Sequence, residues 1–181
     1  EAMAQIKVFD LGAEAFPPAL YDKIRTVNPD VYIMNGYGPT ETTISCTMKV
    51  ITDSKNITIG VPNGNVKVYI VDKENRILPD GDTGELVVAG MGVGRGYMNL
   101  PEKTADVFIE LNGERAYKTG DLAKINADGE IEFFGRMDNQ ITLRGLRIEL
   151  GEIEEVINSF EGIITSITIP VDNKYLCCYF I

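Results

Sequence analysis

A chain of 181 residues, 44% apolar and 24% charged, has room for one ordinary domain or one and part of a second, and has the make-up of a soluble globular protein. Its 27 acidic and 17 basic residues leave a net charge of -10, which argues against a broad nucleic-acid surface but not against a mononucleotide held by local dipoles and a metal. Histidine is absent, so His-based triads, imidazole bases and most zinc sites are excluded together.

No apolar run reaches membrane-spanning length, and Glu1-Ala2-Met3-Ala4-Gln5 lacks the basic flank and apolar core of a signal peptide, so the expected location is the cytoplasm, with no membrane partner. The cysteines are Cys46, Cys177 and Cys178. Neighbours in a strand-like run point to opposite faces, and core thiols in a reducing compartment are expected.

Taken in order, Ile6, Val8, Phe9 and Leu11 predict a strand ending at Gly12-Ala13-Glu14. Pro17-Pro18 opens a predicted helix from about Phe16 to Val27, and Asn28-Pro29 ends it. Val31 to Met34 follows as a buried strand, giving strand, helix and parallel strand. Asn35-Gly36-Tyr37-Gly38-Pro39-Thr40-Glu41 is then expected as an irregular loop, because two glycines and a proline oppose a regular element. It would leave the carboxyl end of a parallel strand, where open α/β sheets place ligands. It carries a phenol, a hydroxyl and a carboxylate, suited to a base, a phosphate oxygen and magnesium.

From Ile44 the pattern turns to short strands: Val66 to Val71, then Glu85 to Ala89, with turns at Asp72 to Asn75 and Pro79 to Asp82. Gly90, Gly92, Gly94 and Gly96 suggest close backbone packing more than a phosphate cradle. Pro101 to Val107 predicts a short helix. Tyr117-Lys118-Thr119-Gly120-Asp121 is expected just before a hairpin pairing Leu122 to Ile125 with Ile131 to Phe134 across Asp128-Gly129. Asp121 reads either as an Asx turn at a strand entrance or as an acceptor for two ribose hydroxyls; Asp128 reads as structural.

Gly135 to Asn139 reads as an interdomain joint. Beyond it come a hairpin, Gln140 to Leu143 and Leu146 to Glu149 with Arg144-Gly145 at its tip, a helix from Gly151 to about Phe160, and strands Ile163 to Ile169 and Tyr175 to Ile181. The early glutamates of that helix suit its dipole and are assigned no chemistry.

Asn35 to Glu41, followed by Thr42-Thr43, resembles the signature loop of adenylate-forming enzymes, most closely the amino-acid-activating (adenylation) domains of nonribosomal peptide synthetases. Four further stretches resemble that family's motifs in the same order: Gly84 to Tyr97, Tyr117 to Asp121, Gly135-Arg136-Met137-Asp138 and Gln140 to Glu154. The resemblance implies an α/β and β-rich fold: residues 1–137 as the later part of a large nucleotide-binding subdomain, strand–helix–strand and then distorted barrel-like strands, and 138–181 as a hinge and partial small α+β subdomain. It implies ATP and magnesium, an amino acid as acyl donor, and transfer to the phosphopantetheine thiol of a carrier domain. Nucleic acid is not an expected partner.

By the same resemblance Tyr37 packs against adenine and Asn35 hydrogen-bonds it, with Gly36 and Gly38 in the same loop. Thr40 contacts the α-phosphate and Glu41 binds magnesium. Gly12, Ala13 and Glu14 line the nucleotide site, Asp121 takes the ribose with Phe133 beside it, and Arg136 reaches the nucleotide. Phe9, Leu11, Gly36, Ile44 and Ser45 fall where the family lines its acyl pocket, which suggests an apolar or aromatic amino acid. Asp138 is the expected hinge, and Gly145 the expected approach to pantetheine. Ala13 replaces a common glycine, and Thr142 stands where lysine is usual. The family's phosphate loop, the carboxylate that grips the substrate amine and a catalytic lysine are not among these residues, so the chain is expected to need the remainder of its adenylation domain and to be inactive alone. A stand-alone acyl- or aryl-acid or D-alanine–carrier ligase is one alternative, and a non-catalytic module of similar fold another.

Overall fold

The computed structural model describes residues 2–172 and 174–181, in two compact units, Glu1–Gly135 and Arg136–Ile181. The first begins with a 3-10 turn, Ala2–Gln5, and strand β1, Val8–Gly12. Helix α1, Pro18–Val27, starts two residues later than expected, because Pro17 is extended (φ -77, ψ 142) and caps rather than joins it. Asn28 closes it with its own N–H on the Ile24 carbonyl, and its side-chain amide donates to the carbonyls of Met3 (3.0 Å) and Ile6 (2.8 Å).

Strand β2, Tyr32–Tyr37, lies parallel to β1 with Phe9 opposite Ile33 and Gly12 opposite Gly36. It corrects one expectation: Asn35, Gly36 and Tyr37 are strand, not loop. They are paired on both sides, and β3, Thr47–Val50, runs antiparallel with Gly36 opposite Met48. Interstrand pairing outweighs the weak strand propensity of one glycine. β4, Val61–Pro62, completes this four-stranded sheet. One sheet face packs on α1, where Phe16, Ile24, Val31, Ile33 and Ile51 are buried. Burial of each such side chain contributes about 1.5–3 kcal/mol.

The second sheet of this unit has the order β5-β6-β8-β7, with β9 also on β8. Its strands are β5, Val66–Val71; β6, Gly84–Gly90; β7, Phe108–Leu111; β8, Glu114–Ile125; and β9, Ile131–Arg136. Helix α2, Pro101–Val107, leads into β7. β8 is longer than the sequence suggested. Asn112 (φ 53) and Gly113 (φ 77) form a two-residue hairpin turn, so the strand begins at Glu114 and runs through the Tyr117 to Asp121 motif. The two sheets meet where Ile59 and Gly60 exchange backbone hydrogen bonds with Ile131 (3.0 and 2.8 Å), over a core of Ile59, Ile70, Leu86, Ala123 and Ile131. Tyr37 packs against that core, which delivers the end of β2 to the middle of β8.

In the second unit β10, Gln140–Leu143, and β11, Leu146–Glu149, form the expected hairpin, with Arg144 (φ 53) and Gly145 (φ 77) in the left-handed turn. Helix α3, Leu150–Asn158, follows. β12, Ser166–Val171, starts three residues later than expected and pairs antiparallel with β13, Tyr175–Phe180. All three cysteines are free; Cys46 is buried, whereas Cys177 and Cys178 are only half-buried, which corrects their reading as core thiols.

Candidate nucleotide site

Strand β2 ends on Tyr37, whose phenol donates a hydrogen bond to Oδ2 of Asp121. Asp121 lies mid-strand in β8, 5% exposed, which removes the Asx-turn reading for it. Its backbone N–H donates to Thr119 Oγ1 (3.0 Å), and that hydroxyl donates to the Leu86 carbonyl (2.7 Å). Phe133 stands beside Tyr37, ring centroids 6.1 Å apart and planes tilted by 41°. Burial, and then the neighbouring Asp121 carboxylate, hold the Tyr37 phenol well above its ordinary pKa, so it is a neutral donor at any physiological pH.

The chain beyond Tyr37 is tightly confined. A side chain at Gly38 would lie 2.3 Å from the Ile44 carbonyl oxygen and 2.8 Å from the Cys46 nitrogen. Thr40–Thr42 form a 3-10 turn, with Thr40 exposed and Thr42 buried. Thr43 (φ 63) and Ile44 (φ 71) are both left-handed, an unusual state for β-branched residues and one that costs about 1–3 kcal/mol each. Thr43 is held there by its N–H on the Thr40 carbonyl (3.1 Å) and its hydroxyl on the Gly92 carbonyl (2.7 Å). The Glu41 carboxylate accepts a hydrogen bond from the Tyr97 phenol at 2.5 Å. The alternating glycines act as packing: a Cβ at Gly92 would come within 2.8 Å of the Thr42 carbonyl oxygen, and at Gly94 within 3.2 Å of that of Glu41.

Other expected residues fall as follows. Asn35 is 5% exposed and commits its amide nitrogen to the Thr58 carbonyl (2.8 Å). Gly12 packs on β2, where a Cβ would sit 2.6 Å from the Gly36 carbonyl oxygen; Ala13 is left-handed (φ 68) and Glu14 exposed. In the second unit, Arg136 binds both carboxylate oxygens of Asp138 and so lowers its pKa, although burial alone would raise it. Asp138 Oδ1 also accepts the Gln140 N–H (3.0 Å), and Gly145 is an open hairpin tip.

The residues expected to line the acyl pocket sit on both faces of the β1–β2 pair and on the segment after Thr42. Phe9 and Leu11 share the pleat of Ile33 and pack on the α1 core. Gly36 faces the other side, where a Cβ would lie 3.6 Å from both Asp10 Oδ1 and Ser45 Oγ, and Ile44 is 79% exposed. Sequence reasoning missed Asp10, Thr119 and Tyr97. Strand alternation from Gly36 could have found Asp10; no local signal pairs Tyr97 with Glu41.

Among the described residues no cluster of three or more Cys, Asp or Glu side chains could hold a metal. The half-buried Glu41 carboxylate is a hard oxygen donor of the kind a magnesium ion that keeps most of its waters would take. No helix of the described residues is long and apolar enough to cross a membrane.

A family model described as "AMP-binding enzyme" matches residues 1–98. The chain belongs to the AMP-binding enzyme family. Among its relatives are tyrocidine synthase 3 of Brevibacillus parabrevis, 43% identical over 98% of this chain, and surfactin synthase subunit 2 of Bacillus subtilis, 44% identical over 94%. The chain spans 3% and 5% of those two proteins. In structure this family member is similar to holo-PA1221, described as a nonribosomal peptide synthetase protein containing adenylation and carrier (PCP) domains. The TM-score is 0.88 at 30% identity, over 96% of this chain and 32% of that one. A four-domain synthetase, holo-AB3403 bound to AMP and glycine, matches with TM-score 0.66 at 37% identity, over 94% of this chain and 14% of that one. The match with adenylation-domain structures agrees with the α/β, strand-rich fold class read from the sequence.

Proposed function

We propose that this chain is the nucleotide-binding part of an adenylation domain in a nonribosomal peptide synthetase. In this reading an amino-acid carboxylate attacks the α-phosphorus of ATP, pyrophosphate leaves, and a carrier domain's phosphopantetheine thiol then displaces AMP from the acyl group. The observation that carries it is the junction of Tyr37, Asp121 and Phe133. It gathers an aromatic platform, a two-oxygen acceptor and a second ring from strands up to 96 residues apart in the chain. Tyr37 would bear the adenine. Asn35, with its amide nitrogen used by Thr58, would meet an exocyclic amine through its oxygen. Asp121 would accept the ribose hydroxyls, and exposed Thr40 would donate to an α-phosphate oxygen. Glu41 would hold magnesium, which would supply charge neutralisation on the phosphates. The protein's part is then alignment and charge stabilisation, which needs no protein nucleophile and suits a chain without histidine.

Residues 1–137 would form the later part of a large subdomain and 138–181 the hinge and start of a mobile one. Asp138 would be the pivot, Arg136 would reach the nucleotide on closure, and Gly145 would admit the pantetheine. The Arg136–Asp138 pair and the open Gly145 tip support this. Exposed Ile44 supports an apolar or aromatic amino acid, and free cysteines suit a reducing cytoplasm. The test is amino-acid-dependent pyrophosphate exchange by the complete polypeptide, lost in Asp121→Ala. Absence of exchange with every amino acid, despite ATP binding, would favour a binding module. Preference for acidic or basic amino acids would rule out the substrate assignment. Asp138→Pro should spare exchange and slow thioester formation; equal loss of both would sink the hinge.

A further inference from the structure

Tyr97 lies outside every role assigned above, yet its phenol is the donor to the carboxylate that the proposed function gives to magnesium. The ring is fixed from three sides. Its backbone N–H donates to Thr104 Oγ1 of α2 (2.9 Å). Its edge meets buried Phe108 of β7, centroids 5.6 Å apart at 74°. The Lys103 ammonium lies over its face, 5.7 Å from the ring centroid. The backbone leading to Tyr97 grips the loop as well: the Gly94 N–H donates to the Glu41 carbonyl (2.7 Å), and the Thr43 hydroxyl to the Gly92 carbonyl (2.7 Å). Glu41 is thus held at its main chain by Gly94 and at its carboxylate by Tyr97, both from one segment.

We infer that Tyr97 is a positioning residue for the Glu41 carboxylate: its hydroxyl, anchored on α2 and β7, fixes the orientation in which Glu41 meets a magnesium–nucleotide complex. A flexible glutamate on a 3-10 turn would otherwise lose side-chain freedom on binding the metal, and a donor already on Oε1 removes much of that cost beforehand. Packing alone would need only the ring. The hydroxyl is the part that touches Glu41.

The inference rests on Glu41 being the magnesium ligand, and its test separates the two. In the complete polypeptide, magnesium is titrated at fixed ATP and followed calorimetrically, with ATP binding in EDTA as reference. Tyr97→Phe keeps the ring and should raise the magnesium needed for half-saturation roughly tenfold, as loss of outer-sphere partners does elsewhere. Its ATP affinity in EDTA and its KM for the amino acid should not change. Glu41→Gln should show a larger shift. If Tyr97→Phe titrates like the parent while Glu41→Gln is shifted, the positioning role is overturned. If neither is shifted, both it and the metal assignment of Glu41 fall. Should Tyr97→Phe not fold, Thr104→Val removes the acceptor of the Tyr97 N–H, loosens the residue's anchor on α2 and should shift the titration in the same direction; an unchanged titration overturns the inference.

Discussion

The two compact units treat glycine and apolar residues differently. In the first, Gly38, Gly84, Gly90, Gly92 and Gly94 each have a backbone carbonyl within 3.2 Å of where a side chain would begin, and the core includes fully buried Ile33, Leu86, Val87 and Ile131. In the second, Gly145, Gly151 and Gly162 have open space around them, and the buried apolar side chains are Leu143 (9%) and Leu150 (7%), while Ile164, Ile167, Phe160 and Phe180 are more than half exposed. The first unit is packed to hold a fixed constellation of side chains. The described residues of the second leave open space around their glycines.

That contrast can be broken most directly in the cores. Leu86→Ala should cost about 4 kcal/mol, against about 2 kcal/mol for Leu143→Ala, in urea unfolding of the 181-residue chain; equal losses would erase the distinction. Gly38→Ala comes next. Its Cβ meets a carbonyl oxygen at 2.3 Å, so a loss of about 3 kcal/mol is expected. Gly145→Ala meets nothing and bears only its positive φ, a cost of about 1 kcal/mol.

Tyr37→Phe sharpens the comparison within the site. It removes one hydrogen bond to a carboxylate and should cost about 2 kcal/mol near neutral pH. Because the folded state raises the phenol pKa above its ordinary value near 10, this stability is fully present below pH 10 and is lost as pH rises beyond it. The parent should therefore weaken in alkali more steeply than the variant, and parallel curves would contradict the Tyr37–Asp121 bond. The smallest effect is a labelling one. Burial pushes the Cys46 thiol up to about 11, so at pH 8 a disulfide reagent should modify half-buried Cys177 and Cys178 while sparing Cys46 until the chain unfolds.

Local signals foretold a good part of this architecture. The strand–helix–strand start, the β10–β11 hairpin and the bounds of β5 and α2 follow from periodicity and from Pro and Gly positions. Two errors share one cause. Gly36 reads as a breaker and Tyr117 to Asp121 as a prelude to a hairpin, because pairing of the one with β3 and of the other with β6 is invisible in a linear sequence. The Asn112-Gly113 turn was a visible signal that would have extended β8. Motifs singled out Tyr37, Glu41 and Asp121. They did not reveal that Tyr37 touches Asp121 across 84 residues, or that Tyr97 touches Glu41 across 56, since such contacts arise only from tertiary packing.

Strand β8 has one more consequence. It is hydrogen-bonded to β6, β7 and β9 along its twelve residues, and Asp121 sits in its interior. In native-state hydrogen exchange its central amides should be among the last to trade protons, released only when the whole first unit opens. The acceptor proposed for ribose would therefore outlast partial melting of the turn from Thr40 to Ile44, and stand in place for that turn to settle back onto.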